Sequence, residues 1–493
     1  MWIEIYEYIN VLAGLTVLIF WFYLQRKPKS FPPGPRGLPL VGYIPFISRN
    51  PAETFMKLKK KYGSVVSVQF GQQDWVILND YDTINEAFVK QGQKFSGRPY
   101  NLYFELITKG RGFLTMDYGS TWKALTKFGH ATLKDMGMGK KEMETSAVEE
   151  SRFLIESLTS SNGESIRMKL NLALSNMVCR IVLGSRFDYH ENKLRNIVKM
   201  FMKQSEVTSH SHMLFAVYIA PFLRFIPPFS KFVKITSDET ECLMAYLRDF
   251  VEEHESNFED SHIRDFIDAF LNEMKKRGKD DDAFNKYQLI RYVRDLLHAG
   301  SVTTSVTLIW ALLALVCYPK CQEKIADEVF ATLGEDGVPS MDHRDKMPYT
   351  CAFIQELIRH KILAPLSIFH MNNEEASING YTIPINTTIV PNIWAVHNDP
   401  KYFENPREFR PERFLDRDGK FCKSNHVIPF SIGLRRCMGE PLARMALFVF
   451  LTGTIQKLKV LPDPVKPLPS FDGDVKFIIT YEPPQFDVVF ERR

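Results

Sequence analysis

A cysteine set between two glycines is the segment of this chain best suited to hold a metal. It lies in Phe430-Ser431-Ile432-Gly433-Leu434-Arg435-Arg436-Cys437-Met438-Gly439-Glu440-Pro441. Glycine admits tight turns and lets the backbone approach a flat ligand closely. A helix expected to begin near Pro441 would aim amide N–H groups and the positive end of its dipole at the sulfur. Both effects lower a thiol's pKa and hold it as the thiolate that binds metal. Arg435 stands two residues away and can pair with a carboxylate on the same ligand. The plainer alternative is a buried cysteine in a glycine turn.

Three further groups of residues bear chemistry. Ala299-Gly300-Ser301-Val302-Thr303-Thr304 sits inside a long apolar stretch. A glycine within a helix costs ~1 kcal/mol relative to alanine, and threonines can bond back to the preceding turn and bend it. A small residue there leaves room beside a bound ligand. Glu356 and Arg359 share a helix face at i, i+3, a pair worth only ~0.2–0.5 kcal/mol on an exposed surface. Lys123, Lys127, His130 and Lys134 fall on one face of another helix. That face suits an acidic partner, or it is simply solvated.

The elements that must position these residues read as mainly helical, with smaller sheets near both ends. Residues 64–70 and 75–78 alternate well enough for two strands joined by Gly71-Gln72-Gln73-Asp74. From about 80 to 360 helical periodicity dominates, and 292–317 is the longest apolar helix, ended by Pro319. With 493 residues and a hydrophobic fraction of 45%, the chain can bury a large core. No linker-like tract or repeat interrupts the interior, so one catalytic domain, 41–493, is expected behind a short N-terminal region.

That region begins with an apolar run, 9–24, and the expected membrane anchor spans 1–27. Gln25-Arg26-Lys27-Pro28-Lys29 follows the run, whereas Glu4 and Glu7 precede it. The asymmetry places the bulk of the chain on the cytosolic side. A proline-rich hinge, 28–40, comes next and favours an extended spacer. A second apolar stretch, 213–232, is interrupted by Pro221, Pro227 and Pro228 and cannot span a bilayer. A membrane-surface segment and a core segment fit it equally. The net charge of +4 gives no reason to expect nucleic acid as a partner. The seven cysteines show no zinc-like or disulfide spacing, and six of them read as inert thiols.

The cysteine segment resembles the haem-binding signature of the cytochrome P-450 superfamily, Phe-x-x-Gly-x-Arg-x-Cys-x-Gly, at every fixed position. Glu356-Leu357-Ile358-Arg359 resembles the family's Glu-x-x-Arg, and Pro411-Glu412-Arg413-Phe414 its third element. The resemblance implies a mainly α cytochrome P-450 fold in which Glu356, Arg359 and Arg413 form a buried triad. It implies haem b (iron protoporphyrin IX) with Cys437 as axial thiolate, a ligand that favours O–O cleavage. Arg98, Trp122, His370 and Arg435 are the implied haem-carboxylate contacts. The arginine expected four residues after Trp122 is replaced by Thr126, with Lys127 beside it. On the long helix the resemblance makes Ala299 a pocket residue, puts oxygen near Gly300 and makes Thr303 the residue assisting proton delivery. Val302 departs from the pattern, standing where the family has Asp or Glu; a valine cannot relay a proton.

Further pocket candidates implied in this way are Phe104, Phe113, Leu114, Ile368, Ile478 and Ile479. The anchor, the proline spacer, Phe95-Ser96-Gly97-Arg98-Pro99 and Pro411-Glu412-Arg413-Phe414 are similar to the animal microsomal clan. That clan includes drug-metabolising and steroid-hydroxylating enzymes. The expectation is therefore a monooxygenase at the endoplasmic reticulum membrane, its catalytic domain on the cytosolic face. Its substrate would be lipophilic and small, and its electron donors NADPH-cytochrome P-450 reductase and cytochrome b5. Two alternatives accommodate Val302: a haem-thiolate isomerase or lyase that needs no reductase, and a haem-binding protein without catalysis.

Overall fold

The fold is seen in a computed structural model that describes residues 28–471 and 480–493, except 101, 161–162, 210–212, 214–215, 218–219 and 279–280. The expected anchor and the pocket candidates Ile478 and Ile479 lie outside the described residues. Two strands, β1 (Val65–Phe70) and β2 (Gln73–Leu78), form an antiparallel hairpin. Its turn is tighter than the alternation suggests: only Gly71 and Gln72 lie between the strands, and Gly71 takes φ +60. Gln73 and Asp74 pair with Phe70 and Gln69 because a two-residue turn keeps the ladder in register.

Beyond the hairpin the chain is mostly helical. The helices that matter for the site are α1 (Ser120–Asp135), α2 (Lys141–Thr159), α3 (Ile166–Val182), α4 (Asn192–Ser209), α5 (Phe229–Ser256), α6 (Lys286–Cys317) and α7 (Pro348–His360). Short strands β3 (His370–Met371) and β4 (Thr388–Pro391) then return to the hairpin, β4 parallel to β2 and antiparallel to β3. The last helix is α8 (Glu440–Lys457). Two further two-stranded sheets pair Ala376–Ile378 with Tyr381–Ile383 and Leu458–Pro462 with Val488–Arg492. The expected helix-rich architecture with small sheets is the one observed.

α6 is the spine. It starts six positions earlier than its apolar pattern alone indicates, because Asn285 caps it by accepting from the Gln288 N–H. It is long and apolar enough to cross a membrane, yet it is buried among other helices and serves as the core of this domain. The other N-terminal caps are similarly local, as at Ser165, whose side chain accepts from Met168 N to start α3. One apolar cluster joins the helices, and a second lines the four-stranded sheet. α8 lies against α2 closely enough that a Cβ on Gly453 would meet Ser151 Oγ at 2.6 Å.

The described part of the apolar stretch at 213–232 is divided: Val217 is 1% exposed, whereas the turn that follows faces outward. Phe222 and Phe225 are 63% and 71% exposed on a short turn, Pro221–Phe225, that leads into α5. None of the seven cysteines is in a disulfide.

Candidate functional site

Cys437 sits three residues before α8, and its own N–H donates to Phe430 O at 3.0 Å, closing the loop on itself. It has accessible surface, although protein is packed around the sulfur. Burial pushes the thiol pKa up, and the N–H groups of Gly439 and Glu440 pull it down. The net direction is upward. The helix start is where the sequence predicts it, but its lowering effect is outweighed by desolvation from packing that no local motif reveals.

Gly433 is the residue that lets this loop dock. It takes φ +85, and a Cβ there would lie 2.0 Å from Phe88 O. Neither strain nor a backbone clash can be relieved by a rotamer change. Gly433→Ala is expected to displace the loop and cost about 2 kcal/mol or more. Haem content per folded protein, measured against wild type after identical purification, checks this; equal occupancy would refute it.

The wall beside the cysteine is a convergence of cations. The Arg435 guanidinium lies 4.0 Å from the Trp122 ring centre and donates to Ser96 O at 2.9 Å and Met116 O at 2.8 Å. Trp122 Nε1 donates to Phe113 O at 3.2 Å. Arg98 donates to Phe369 O at 2.8 Å and to Leu114 O at 3.3 Å. Burial followed by the charge of Arg435 holds Arg98 well below the usual arginine range, with Asp117 opposing. Burial likewise pushes Arg435 down to about 10. His370 stacks on Phe88 at 3.9 Å and shares a 2.7 Å hydrogen bond with Phe95 O through Nδ1. Its pKa is far below normal because of burial and then Arg98, so the ring is neutral and Nδ1 carries its proton. Arg98, Trp122, His370 and Arg435 are thus brought together as expected.

Two guanidiniums this deeply placed, bonded mainly to carbonyls, call for an anion. Two orphaned hydroxyls point the same way. Thr126 Oγ1, one turn beyond Trp122 on α1, is buried without a partner, as is Ser431 Oγ in the cysteine loop. Lys127, the substitute considered for the missing arginine, is exposed on the opposite side of α1. These residues fit a flat dianionic cofactor held through Cys437.

α6 supplies the facing surface. Between positions 297 and 308 it is buried except at His298, Ala299, Gly300, Val302, Thr303 and Thr307. Ala299, Thr303 and Thr307 form one i, i+4 row, and His298 and Val302 form the row beside it. Thr303 Oγ1 donates to Ala299 O at 2.7 Å, and Thr307 Oγ1 to Thr303 O at 3.0 Å. Gly300 borders this face where α6 meets α3. A Cβ on it would lie 2.7 Å from Val178 Cγ2 on α3, so any larger residue would have to displace Val178. Ser301 is 1% exposed and donates to Leu297 O at 2.7 Å, which takes it off this surface. Of the other pocket candidates, Phe104 packs with Ile107 and Phe232, and Phe113 lies 4.7 Å from Tyr292. Ile368 gives its carbonyl to Arg98 at 3.3 Å.

Sequence inspection alone missed Asp295. Buried on α6, it accepts from the N–H groups of Phe113 and Leu114 at 3.1 and 3.3 Å. It thereby fixes the loop whose carbonyls receive Trp122 and Arg435. Gly112 makes room for its carboxylate, since a Cβ there would lie 2.3 Å from Asp295 Oδ2.

Glu356, Arg359 and Arg413 form a buried triad, with Arg359 Nε at 2.6 Å and Arg413 Nε at 3.1 Å from the Glu356 carboxylate. On the outer face, Lys123, Lys127, His130 and Lys134 are all exposed. His130 is pushed below its ordinary pKa by partial burial and then by Arg436 of the cysteine loop. The basic face therefore adjoins that loop.

A family profile described as Cytochrome P450 matches residues 32–488. The chain is 33% identical to cytochrome P450 2U1 of Homo sapiens, over 98% of its own length and 93% of the relative's. It is 35% identical to cytochrome P450 2B2 of Rattus norvegicus, over 98% and 99% of the two chains. With cytochrome P450 2H1 of Gallus gallus the identity is 36%, over 92% and 91%.

Proposed function

The chain belongs to the cytochrome P450 family of haem-thiolate monooxygenases, and on that premise we propose that it hydroxylates a small lipophilic substrate with electrons from an NADPH-dependent flavoprotein reductase. The observation that carries this reading is the partly accessible face of α6 that bears Ala299 and Thr303, on a helix whose remaining positions at this level are buried. Haem bound through Cys437 supplies the reductive activation of dioxygen and the oxidising equivalent that hydroxylates the substrate.

The chain's own residues do the rest. Cys437 would hold the haem iron through its thiolate, and Arg98 and Arg435 would pair with the cofactor's carboxylates, with the indole of Trp122 packed beside them. Thr303 keeps a hydroxyl on the active face. It gives its proton to Ala299 O, and its lone pairs can take a hydrogen bond from water or from an incoming proton donor. Ala299 and Val302 present apolar surface to a lipophilic molecule, as small-molecule pockets generally do.

The exposed lysines of α1 next to the cysteine loop support docking of an acidic redox partner, for which the flavoprotein reductase and cytochrome b5 are our candidates. The apolar run at 9–24, together with exposed Leu40, Phe222 and Phe225, supports an endoplasmic reticulum membrane location with the domain on the cytosolic side.

Val302 favours a second use of the same site. With no carboxylate on that row, proton delivery falls to Thr303 and water, and a substrate that is already oxygenated would bypass it. Val302→Asp is expected to raise NADPH-driven hydroxylation about tenfold, equivalent to ~1.4 kcal/mol of barrier. Product formed per NADPH consumed, with reductase over a lipophilic panel, checks both readings. Absence of any turnover by wild type and variant alike would overturn the monooxygenase reading. Turnover of lipid hydroperoxides without reductase would favour the second use.

A further inference from the structure

The imidazole of His298 stands apart from the other enclosed histidines of this protein. His397 shares a hydrogen bond with Arg359 O through Nδ1 at 3.1 Å and accepts from Ile428 N through Nε2 at 2.9 Å. His370 is tied to Phe95 O, and His254 to Phe250 O and Asp265. These are histidines with structural bonds. His298 has none among the described residues. Its single close ring contact is edge-on to Phe201 of α4, with centroids 5.0 Å apart and planes at 82°.

The residue is half-buried on α6, with Phe201 of α4 against its ring. Val302 is its i+4 neighbour, and the Ala299–Thr303 row runs beside it. Burial and then the charge of Arg294, one turn earlier, push its pKa down to about 3, so the ring is neutral in any ordinary buffer. A neutral imidazole always keeps one N–H to give.

The local field is positive. Arg294 bonds to Asp295 at 3.1 Å and to Gln204 at 2.8 Å. Asp295 in turn is directed at the amides of Phe113 and Leu114. A cationic ligand group would be repelled by Arg294, and a purely apolar one that displaces water would leave the N–H unmet, which is costly. An oxygen that accepts a hydrogen bond satisfies both conditions.

We propose that His298 is the polar recognition group of the substrate pocket, and that its ligand is an apolar molecule carrying one hydrogen-bond-accepting oxygen, a carboxylate or carbonyl. The assignment rests on the reading that lipophilic substrates occupy this face of α6. It adds a geometric consequence. His298 precedes Thr303 by five helical positions, about 7–8 Å along the axis. The recognised oxygen is therefore held away from the site of oxidation, and hydroxylation falls on a carbon remote from it.

The test uses the ferric holoenzyme and three probes of one chain length: dodecanoic acid, methyl dodecanoate and dodecane. Binding is read from the haem absorbance change. Wild type is expected to bind the acid and the ester about tenfold or more tightly than the alkane. His298→Phe should bring the three affinities together, and His298→Gln, which retains an N–H donor, should restore most of the preference. If His298→Phe fails to keep haem, the smaller His298→Leu serves in its place. A variant with an unaltered reduced, carbon-monoxide-bound spectrum that keeps the tenfold preference overturns the proposal. So does wild type that shows no preference or binds none of the three. Absence of a thiolate-type reduced spectrum in wild type would instead sink the functional reading beneath it.

Discussion

Cys437→Ser is expected to yield a folded protein whose reduced, carbon-monoxide-bound spectrum lacks the thiolate-type Soret band. NADPH-driven turnover should fall by at least about a thousandfold, equivalent to ~4 kcal/mol of barrier. Serine is nearly isosteric, and the backbone bond from residue 437 to Phe430 O does not involve the side chain. The loop's shape depends on Gly433 against Phe88 O and on the start of α8, neither of which the substitution touches. What changes is the donor atom. A serine hydroxyl does not ionise at neutral pH and is a hard oxygen, whereas iron in this setting is tuned by a soft, electron-rich thiolate. Circular dichroism establishes that the variant folds, and the absorption spectrum reports the ligand. A retained thiolate-type band would remove Cys437 from the site.

The legible parts of this protein are those encoded in short stretches of chain. The cysteine loop, its following helix and the Glu356–Arg359 pair are specified by neighbours within a turn or two, so spacing alone reveals them. Arg98, Trp122, His370 and Arg435 could be proposed only through a family pattern, since four distant segments must meet to form their wall. What could not be read is set by contacts between remote segments. The thiol of Cys437 illustrates this well: local N–H groups lower its pKa, but burial raises it further, and burial is a property of the whole fold. Gly300 reads in sequence as space for a ligand, and only the packing of α6 on α3 shows that the same glycine also lies against Val178. The Thr126 hydroxyl and the His298 ring, which have no hydrogen-bond partner among the described residues, are likewise invisible in sequence, because partners are known only once remote segments are placed.

Glu356→Gln is expected to lower conformational stability by about 3–5 kcal/mol, the usual cost of breaking a buried ion pair. Haem occupancy should fall with it. The Glu356 carboxylate receives Arg359 Nε at 2.6 Å, Arg359 Nη2 at 2.8 Å, Arg410 N at 2.9 Å and Arg413 Nε at 3.1 Å. Glutamine keeps the size but loses the charge. It also turns an N–H group toward a donor, whichever way the amide is flipped. Arg359 and Glu356 are both 0% exposed, so water cannot replace the lost acceptor. The damage has a physical route to the cofactor. Arg359 also donates to His397 O at 2.6 Å, and His397 Nε2 accepts from Ile428 N at 2.9 Å, just ahead of the cysteine loop. Replacing Glu356, Arg359 and Arg413 together with apolar residues of similar volume should be far milder than the single change, because no buried charge is left alone. Denaturant midpoints and haem content of the single and triple variants decide the matter. A single variant as stable as wild type would mean that the triad does not hold this region together.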